Sequence, residues 1–171
     1  MIKRSFPPVV DSNTRLLVLG SLPGDRSLAE ARYYAHPQNQ FWRLISAAID
    51  RDIVALPYEE RLAVLLSAHI GLWDVVASAV RPGSTDAAIR ESVGNDLAGL
   101  VARLSGLLAI AFNGATAHRH GVRQLATTDL ALIALPSSSP LHTIGFDAKR
   151  PTWAALAAHL GGRRPAAPIL R

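Results

Sequence analysis

Residues 15–24 have the sequence RLLVLGSLPG. An apolar run that ends in glycine and proline predicts a buried strand over 15–20, followed by a sharp loop over 21–25. The run is continuously apolar and lacks the alternation of polar and apolar residues that marks a half-exposed strand. Such runs are typical of parallel sheets that helices cover on both faces. This segment therefore predicts an α/β protein.

Three later apolar runs have the same character, and helical patterns separate them along the chain. They predict further strands over 70–76, 107–112 and 130–135. Together the four runs predict a three-layer αβα domain over residues 1–160, with a central four-stranded, mainly parallel sheet and a flexible tail over 161–171. Six helices are predicted. Four of them begin near Asn39, Pro57, Ala115 and Arg150, and the other two are capped by Ser84 or Thr85 and by Asn95.

Composition limits the class of protein. Of the 171 residues, 49% are hydrophobic and 18% are charged, which excludes a wholly disordered chain. The absence of cysteine excludes disulfides, thiolate catalysis and an iron–sulfur cluster. No apolar run is long enough to span a bilayer, so we expect a cytoplasmic protein with no membrane association. We also expect a monomer.

The net charge of +5 comes almost entirely from arginine, since only Lys3 and Lys149 are lysines. The planar guanidinium group suits bidentate contacts to phosphate, which favours a nucleic-acid or nucleotide partner. A GC-rich genome would give the same excess of arginine, so the composition leaves both explanations open.

The carboxyl ends of parallel strands meet at one edge of a sheet, where ligands bind in this class of fold. Four segments rich in Ser, Pro, Gly and Asn are predicted to lie there: 21–25, 73–78, 113–114 and 136–140. The glycine loop, residues 20–24, matches neither GxGxxG nor GxxxxGK[ST], which argues against dinucleotide and P-loop sites. Ser137, Ser138 and Ser139 either donate to a phosphate or form an ordinary turn.

Residues 33–42, YYAHPQNQFW, concentrate aromatic residues in a chain that has few. Pro37 blocks a helix through this segment, and Phe41 and Trp42 are predicted to pack in the core at the start of the next helix. Tyr33 or Tyr34 is then free to offer a ring face to a planar ligand. The six histidines show no spacing typical of metal ligands, so we expect neither a metal nor any other cofactor.

GSLPG at 20–24, YYAHPQNQFW at 33–42 and LPSSSP at 135–140 together resemble the uracil-DNA glycosylase superfamily. Residues 70–89, IGLWDVVASAVRPGSTDAAI, resemble its hypoxanthine-DNA (deoxyinosine) glycosylase branch. The resemblance covers about residues 15–158. It implies a glycosylase-like fold and an enzyme that flips a deaminated base, chiefly hypoxanthine, out of DNA and hydrolyses its N-glycosidic bond.

The resemblance also implies roles for single residues. Ser21 stands where other branches carry a water-activating Asp or Asn, and a serine hydroxyl is a poor base without an activator. In the hypoxanthine branch the Asn of the His-Pro-x-Asn phrase, here Asn39, takes that role, and its carbonyl oxygen is expected to orient the water. Leu135 replaces a His or Asn of the uracil enzymes, which argues against efficient uracil excision.

The same resemblance implies further candidate residues. Tyr34 is expected to stack on the flipped base, and Asp74 to contact its edge unless it only caps a helix or pairs with a cation. Asn113 either binds the base or is only a turn residue. Leu22 completes the base-binding set. The candidates for contact with the DNA backbone, or for the wedge that fills the gap in the duplex, are Pro23, Gly24, Ser137, Ser138, Ser139 and Leu141.

Two alternatives remain at this point. The first is a mismatch-specific glycosylase that removes uracil or thymine. The second is a member of the superfamily that binds nucleic acid without catalysis, which the side chains at Ser21 and Leu135 favour. Because no lysine lies in the motif loops, an enzyme of this kind is expected to lack lyase activity.

Overall fold

A computed structural model describes residues 1–161. Over that range the chain forms seven strands, six α-helices and two short 3-10 helices, at Asp86–Ala88 and Ala155–His159. In chain order the strands and α-helices are β1 (Ile2–Arg4), β2 (Leu16–Gly20), α1 (Asp25–Glu30), α2 (Phe41–Ile49), α3 (Tyr58–Ser67), β3 (Ile70–Asp74), β4 (Val76–Val80), β5 (Arg90–Gly94), α4 (Leu97–Arg103), β6 (Ala109–Asn113), α5 (Ala115–Gln124), β7 (Ala131–Leu135) and α6 (Phe146–Ala154).

The central sheet has the order β3-β2-β6-β7, and every neighbouring pair in it is parallel. Leu16 and Val18 of β2 belong to a core with α2, α3 and α6, whereas Leu17 and Leu19 belong to a second core with α4 and α5. Alternate residues of one strand therefore bury themselves on opposite faces of the sheet, as a doubly covered sheet requires. The predicted three-layer αβα fold is confirmed.

A second sheet, with the order β1-β4-β5, was not predicted. Both of its pairings are antiparallel. The helix expected after a cap at Ser84 or Thr85 is wrong, because that segment returns as the second arm of a hairpin and β5 is exposed along its whole length. An exposed polar strand has no apolar periodicity from which its pairing with β4 could be predicted.

Two helix boundaries also differ from the prediction. The cap of α4 is Asp96 and not Asn95, since its Oδ1 accepts a hydrogen bond from the backbone N–H of Gly99 at 3.0 Å. The last helix begins at Phe146, ahead of Arg150, and continues as the 3-10 helix. The predicted tail, apart from Gly161, lies outside the described residues. Within residues 1–161 no helix has the length and hydrophobicity needed to cross a membrane.

Gly121 of α5 lies directly against the buried ring of Phe112, and a Cβ placed on it would be 2.0 Å from the ring carbon Cε1. We expect Gly121→Ala to lower the free energy of unfolding by about 1–3 kcal/mol, because overpacking outweighs the gain of about 0.5–1 kcal/mol from replacing a helical glycine. Urea denaturation measures this. In a Phe112→Leu background the same change should cost much less, and an equal cost in both backgrounds would contradict the steric cause.

Candidate active site

A cavity of about 910 Å³ lies at the carboxyl ends of the four parallel strands. The last residue of each strand lines it, namely Gly20, Asp74, Asn113 and Leu135. All twelve side chains and loop residues singled out from the sequence also line this one cavity: Ser21, Leu22, Pro23, Gly24, Tyr34, Asn39, Asp74, Asn113, Ser137, Ser138, Ser139 and Leu141. The fold thus brings together segments that are up to 120 residues apart in the chain.

Three polar side chains form a hydrogen-bonded chain on one wall of the cavity. The backbone N–H of Ser138 donates to Asn113 Oδ1 at 2.8 Å, and Asn113 Nδ2 donates to Ser138 Oγ at 2.8 Å. Ser138 Oγ in turn donates to Asn39 Oδ1 at 2.8 Å. Asn113 and Ser138 are both buried, so these contacts are shielded from water. The side chain of Asn113 therefore does more than form a turn, since it connects the end of β6 to Asn39.

The hydrogen bonds of Asn39 correct one expectation. Its Oδ1 accepts from the backbone N–H of Phe41 at 2.9 Å as well as from Ser138 Oγ. A backbone N–H can only donate, which fixes the oxygen on that side, and a carbonyl oxygen has two acceptor positions. Both are occupied, so the carbonyl oxygen is not available to orient a water molecule. The Nδ2 amino group, which has no hydrogen-bond partner among the described residues, is the free end of this side chain.

Two polar groups at the base of the cavity are buried without a hydrogen-bond partner in residues 1–161: the hydroxyl of Tyr34 and Oδ2 of Asp74. The Tyr34 hydroxyl and the other carboxyl oxygen of Asp74, Oδ1, lie close to Gly20, where a Cβ would be 3.1 Å from the hydroxyl and 2.6 Å from Oδ1. Only glycine therefore fits at this position. Buried polar groups are almost always paired in folded proteins, so an unpaired donor and acceptor side by side in a cavity indicate a binding site.

Burial changes the protonation of both groups. It raises the pKa of Asp74 to about 7, with a further rise from the charge of Asp86 and an opposing effect from Arg81. Burial, followed by the nearby Asp74 carboxylate, raises the pKa of the Tyr34 phenol well above its ordinary value. Near neutral pH the cavity therefore presents a phenolic O–H and a carboxyl group whose protonated form is favoured by burial.

The ring of Tyr34 is partly covered. It stacks on Phe41 with the ring centroids 3.9 Å apart and the planes 14° from parallel. A planar ligand can therefore stack only on the opposite face of the tyrosine. Phe41 and Trp42 are buried, as predicted, and the indole N–H of Trp42 donates to the backbone carbonyl of Tyr34 at 3.1 Å, which holds this residue in a left-handed conformation with a φ of 53°.

Helix α6 holds residues 136–140, the serine loop, in place. The Lys149 ammonium donates to the carbonyl of Ser139 at 3.2 Å, and the indole N–H of Trp153 donates to that of Pro136 at 3.0 Å. Lys149 is completely buried, and burial lowers the pKa of its ammonium group. It therefore does not belong to a phosphate-binding surface. Leu141, which lines the cavity, is 65% exposed.

Sequence reasoning missed Arg81 and Asp86. Arg81 is 1% exposed, and its guanidinium donates to the backbone carbonyls of Leu22 at 3.1 Å, of Gly83 at 3.1 Å and of Pro23. It thereby fixes the glycine loop against the hairpin. Asp86 accepts a hydrogen bond from the Ser21 hydroxyl at 2.7 Å. Only the hairpin geometry brings Asp86 to the cavity and Arg81 to the loop that lines it, and a local sequence pattern carries no sign of it.

Comparisons with known proteins agree with this geometry. Residues 7–157 match the model of the uracil DNA glycosylase superfamily. Proteins named hypoxanthine DNA glycosylase from Methanosarcina acetivorans and Methanosarcina barkeri are 46% and 43% identical over 114 residues, which are 67% of this chain and 72% of each relative. The solution NMR structure of a Methanosarcina acetivorans protein, described as a candidate uracil DNA glycosylase, superposes with a TM-score of 0.85 at 39% identity, over 95% of this chain and 100% of that one. The chain therefore belongs to the uracil DNA glycosylase superfamily.

Proposed function

We propose that this protein is a monofunctional DNA glycosylase that hydrolyses the N-glycosidic bond of deoxyinosine and releases hypoxanthine. The observation that carries the proposal is the unpaired carboxyl of Asp74 beside the unpaired hydroxyl of Tyr34 in the cavity. The names of the two Methanosarcina relatives agree with this substrate. Because the target base lies inside a duplex, it must first be flipped out of the stack, at a cost of a few kcal/mol.

The donor and acceptor pattern of the cavity complements a deaminated base. Deamination converts an amino group into a carbonyl and leaves a neighbouring ring N–H, so the edge of hypoxanthine presents one acceptor and one donor. A protonated carboxyl presents the opposite pair, an O–H and a C=O, and Oδ2 of the buried Asp74 has no hydrogen-bond partner within the described residues. The phenolic O–H of Tyr34 supplies a further donor.

Transition-state stabilisation follows from the same groups. Cleavage of the glycosidic bond places positive charge on the sugar and negative charge on the departing base, and a dry, preorganised site stabilises both. Asp74 and Tyr34 donate to the base, whereas Asn39 Nδ2 contacts the reacting nucleotide. Leu22 packs beside the base, and Pro23, Gly24 and the serine loop contact the DNA backbone, with Leu141 as the wedge.

One feature of the chain supports hydrolysis without lyase chemistry, and a second supports a purine substrate. Neither Lys3 nor Lys149 lines the cavity, and both ammonium groups are engaged, Lys3 with Asp25 and Lys149 with Ser139. An amine nucleophile for a Schiff base is therefore not placed near the sugar. At the end of β7, Leu135 presents only an alkyl side chain, which offers no donor to a pyrimidine leaving oxygen.

The proposal is tested with a panel of duplex oligonucleotides that contain inosine, uracil, xanthine or thymine opposite each base. We expect free hypoxanthine, identified by mass spectrometry, to be released faster than any other base, with an intact abasic strand and no product trapped by borohydride. The matched control is the same duplex with adenine at the target position. Faster release of uracil would favour the mismatch-specific alternative, and salt-dependent binding without release of any base would favour the non-catalytic one.

A further inference from the structure

The hairpin formed by β4 and β5 brings a carboxylate to the cavity that no motif of the sequence indicated. Asp86 begins the short 3-10 helix at the tip of this hairpin, and its side chain lines the cavity with 40% exposure. Ser84 of the same tip accepts a hydrogen bond from the backbone N–H of Asp25 at 2.9 Å. The tip is therefore attached to the start of α1 and does not project freely into solvent.

The two oxygens of Asp86 have different surroundings. Oδ1 accepts the Ser21 hydroxyl at 2.7 Å and lies 3.9 Å from Nη1 of the buried Arg81. Oδ2 has no hydrogen-bond partner in the part of the chain that the structure describes. One oxygen thus fixes the orientation of the carboxylate, and the other remains free at a partly exposed position on the cavity wall. This is the arrangement expected of a group that binds a water molecule.

The hydrogen bonds of Asn39 make such a group necessary. Hydrolysis needs an acceptor that orients the attacking water and removes its proton, and Asn39 Oδ1 is fully occupied by Phe41 and Ser138. A serine hydroxyl alone is a weak base, and the hydroxyl of Ser21 donates its hydrogen bond to Asp86 Oδ1. The cavity therefore holds a carboxylate next to Ser21, supplied by the hairpin tip.

The environment of Asp74 gives independent support. Asp74 and Asp86 line the same cavity, and after burial the charge of Asp86 is the second cause that raises the pKa of Asp74 to about 7. Two carboxyl groups in one site whose environments differ are suited to opposite tasks, one donating and the other accepting. Asp74 is buried, whereas Asp86 is partly exposed and its Oδ1 lies 3.9 Å from the guanidinium of Arg81.

We propose that Asp86 is a catalytic residue whose Oδ2 orients the attacking water and accepts its proton. The inference rests on the proposed glycosylase function. The water oxygen forms a bond to C1′ of the deoxyribose while the C1′–N9 bond breaks. The electron pair of the broken C1′–N9 bond leaves with hypoxanthine. The proton lost by the water goes to Asp86, the hydrogen bond from the protonated Asp74 stabilises the departing purine anion, that anion takes its proton from solvent, and exchange with solvent restores Asp86.

The test uses single-turnover release of hypoxanthine from an inosine duplex at saturating enzyme. We expect Asp86→Asn to lower the rate about a hundredfold, the usual contribution of a positioned base, while affinity for the duplex is unchanged or increased because a negative charge near DNA is removed. The matched control is Glu91→Gln, the same loss of charge at an exposed position of β5, which should keep the wild-type rate. In Asp86→Ala, added formate should restore part of the rate.

Each outcome decides the question. An Asp86→Asn rate within threefold of wild type overturns the proposal. A slow variant that also binds DNA more weakly, and an Asp86→Ala variant that formate does not rescue, overturn it in favour of a structural role for the Ser21–Asp86 contact. If the wild-type protein releases no base from the lesion panel, the proposed function itself is wrong, a result distinct from failure of the Asp86 variants alone.

Discussion

Replacing Asn39 by alanine is expected to lower the single-turnover rate of hypoxanthine release between a hundredfold and a thousandfold, the scale for losing one preorganised donor in an active site. The alanine removes the free Nδ2 group from the cavity wall. It also leaves the hydroxyl of Ser138 and the backbone N–H of Phe41 without their shared acceptor. The lower rate therefore has two causes, a missing contact to the nucleotide and a less ordered cavity wall at Ser138 and Phe41.

Asn39→Asp separates these two causes. Aspartate keeps an oxygen that accepts from both Phe41 and Ser138, and it replaces the amino group by a second, negatively charged oxygen that cannot donate. If Nδ2 is the working atom, Asn39→Asp should be about as slow as Asn39→Ala while its melting temperature stays close to that of wild type. An aspartate variant with nearly full activity would show that a donor at the position of Nδ2 is not required.

Two further variants test whether the effect is specific to Asn39 and its hydrogen-bond partners. Ser138→Ala removes the hydroxyl between Asn113 and Asn39 and should lower the rate by less than the loss of Asn39 itself, since Ser138 acts by positioning. Asn13→Ala, a matched change at an exposed asparagine remote from the cavity lining, should keep the wild-type rate. A loss in Asn13→Ala as large as that in Asn39→Ala would indicate a general effect of asparagine removal on folding.

The sequence predicts the sheet and the position of the site because both depend on local signals. Continuous apolar runs mark the parallel strands, and the loops that follow those strands must meet at one edge once the sheet forms. This is why segments near residues 20, 74, 113 and 135 line a single cavity. The Asn39 segment joins them because Pro37 blocks a helix until Phe41, which leaves the polar residues before α2 at the cavity.

The parts that could not be predicted depend on contacts distant in sequence. Strand β5 is exposed and polar, and only its antiparallel pairing with β4 defines it. The positions of Asp86 and Arg81 follow from that pairing, so neither could be assigned to the site beforehand. The same limit applies to the atoms of Asn39, because the occupied carbonyl is a consequence of Ser138, which is 99 residues away in sequence.

The stability of the protein is expected to depend on pH through Asp74. Its pKa is about 7 in the folded protein against an ordinary value of 3.8, so folding favours the protonated form. A group of this kind contributes fully to stability below about pH 4, and that contribution is lost as the pH rises to about 7. Because the carboxyl is 3% exposed, the loss is on the order of 4 kcal/mol at pH 8.

Asp74→Asn isolates this contribution, since the amide has the same shape and never ionises. The two proteins should have similar free energies of unfolding at pH 4, and the variant should become the more stable one between pH 4 and 7, with a constant difference above that. Urea titrations across this range measure it. A difference that does not change with pH would mean that Asp74 titrates alike in the folded and unfolded protein.

The same titration should appear in catalysis. If the protonated carboxyl donates to the base, the wild-type single-turnover rate falls as the pH rises through about 7, and Asp74→Asn, whose amide always carries donors, should lack that decline. Asp74→Ala should be slow at every pH, by about a hundredfold, because no donor remains. A wild-type rate that rises with pH through this range would assign the ionised carboxylate to the base edge. Such a rise would favour a base that presents two donors over the lactam edge of hypoxanthine.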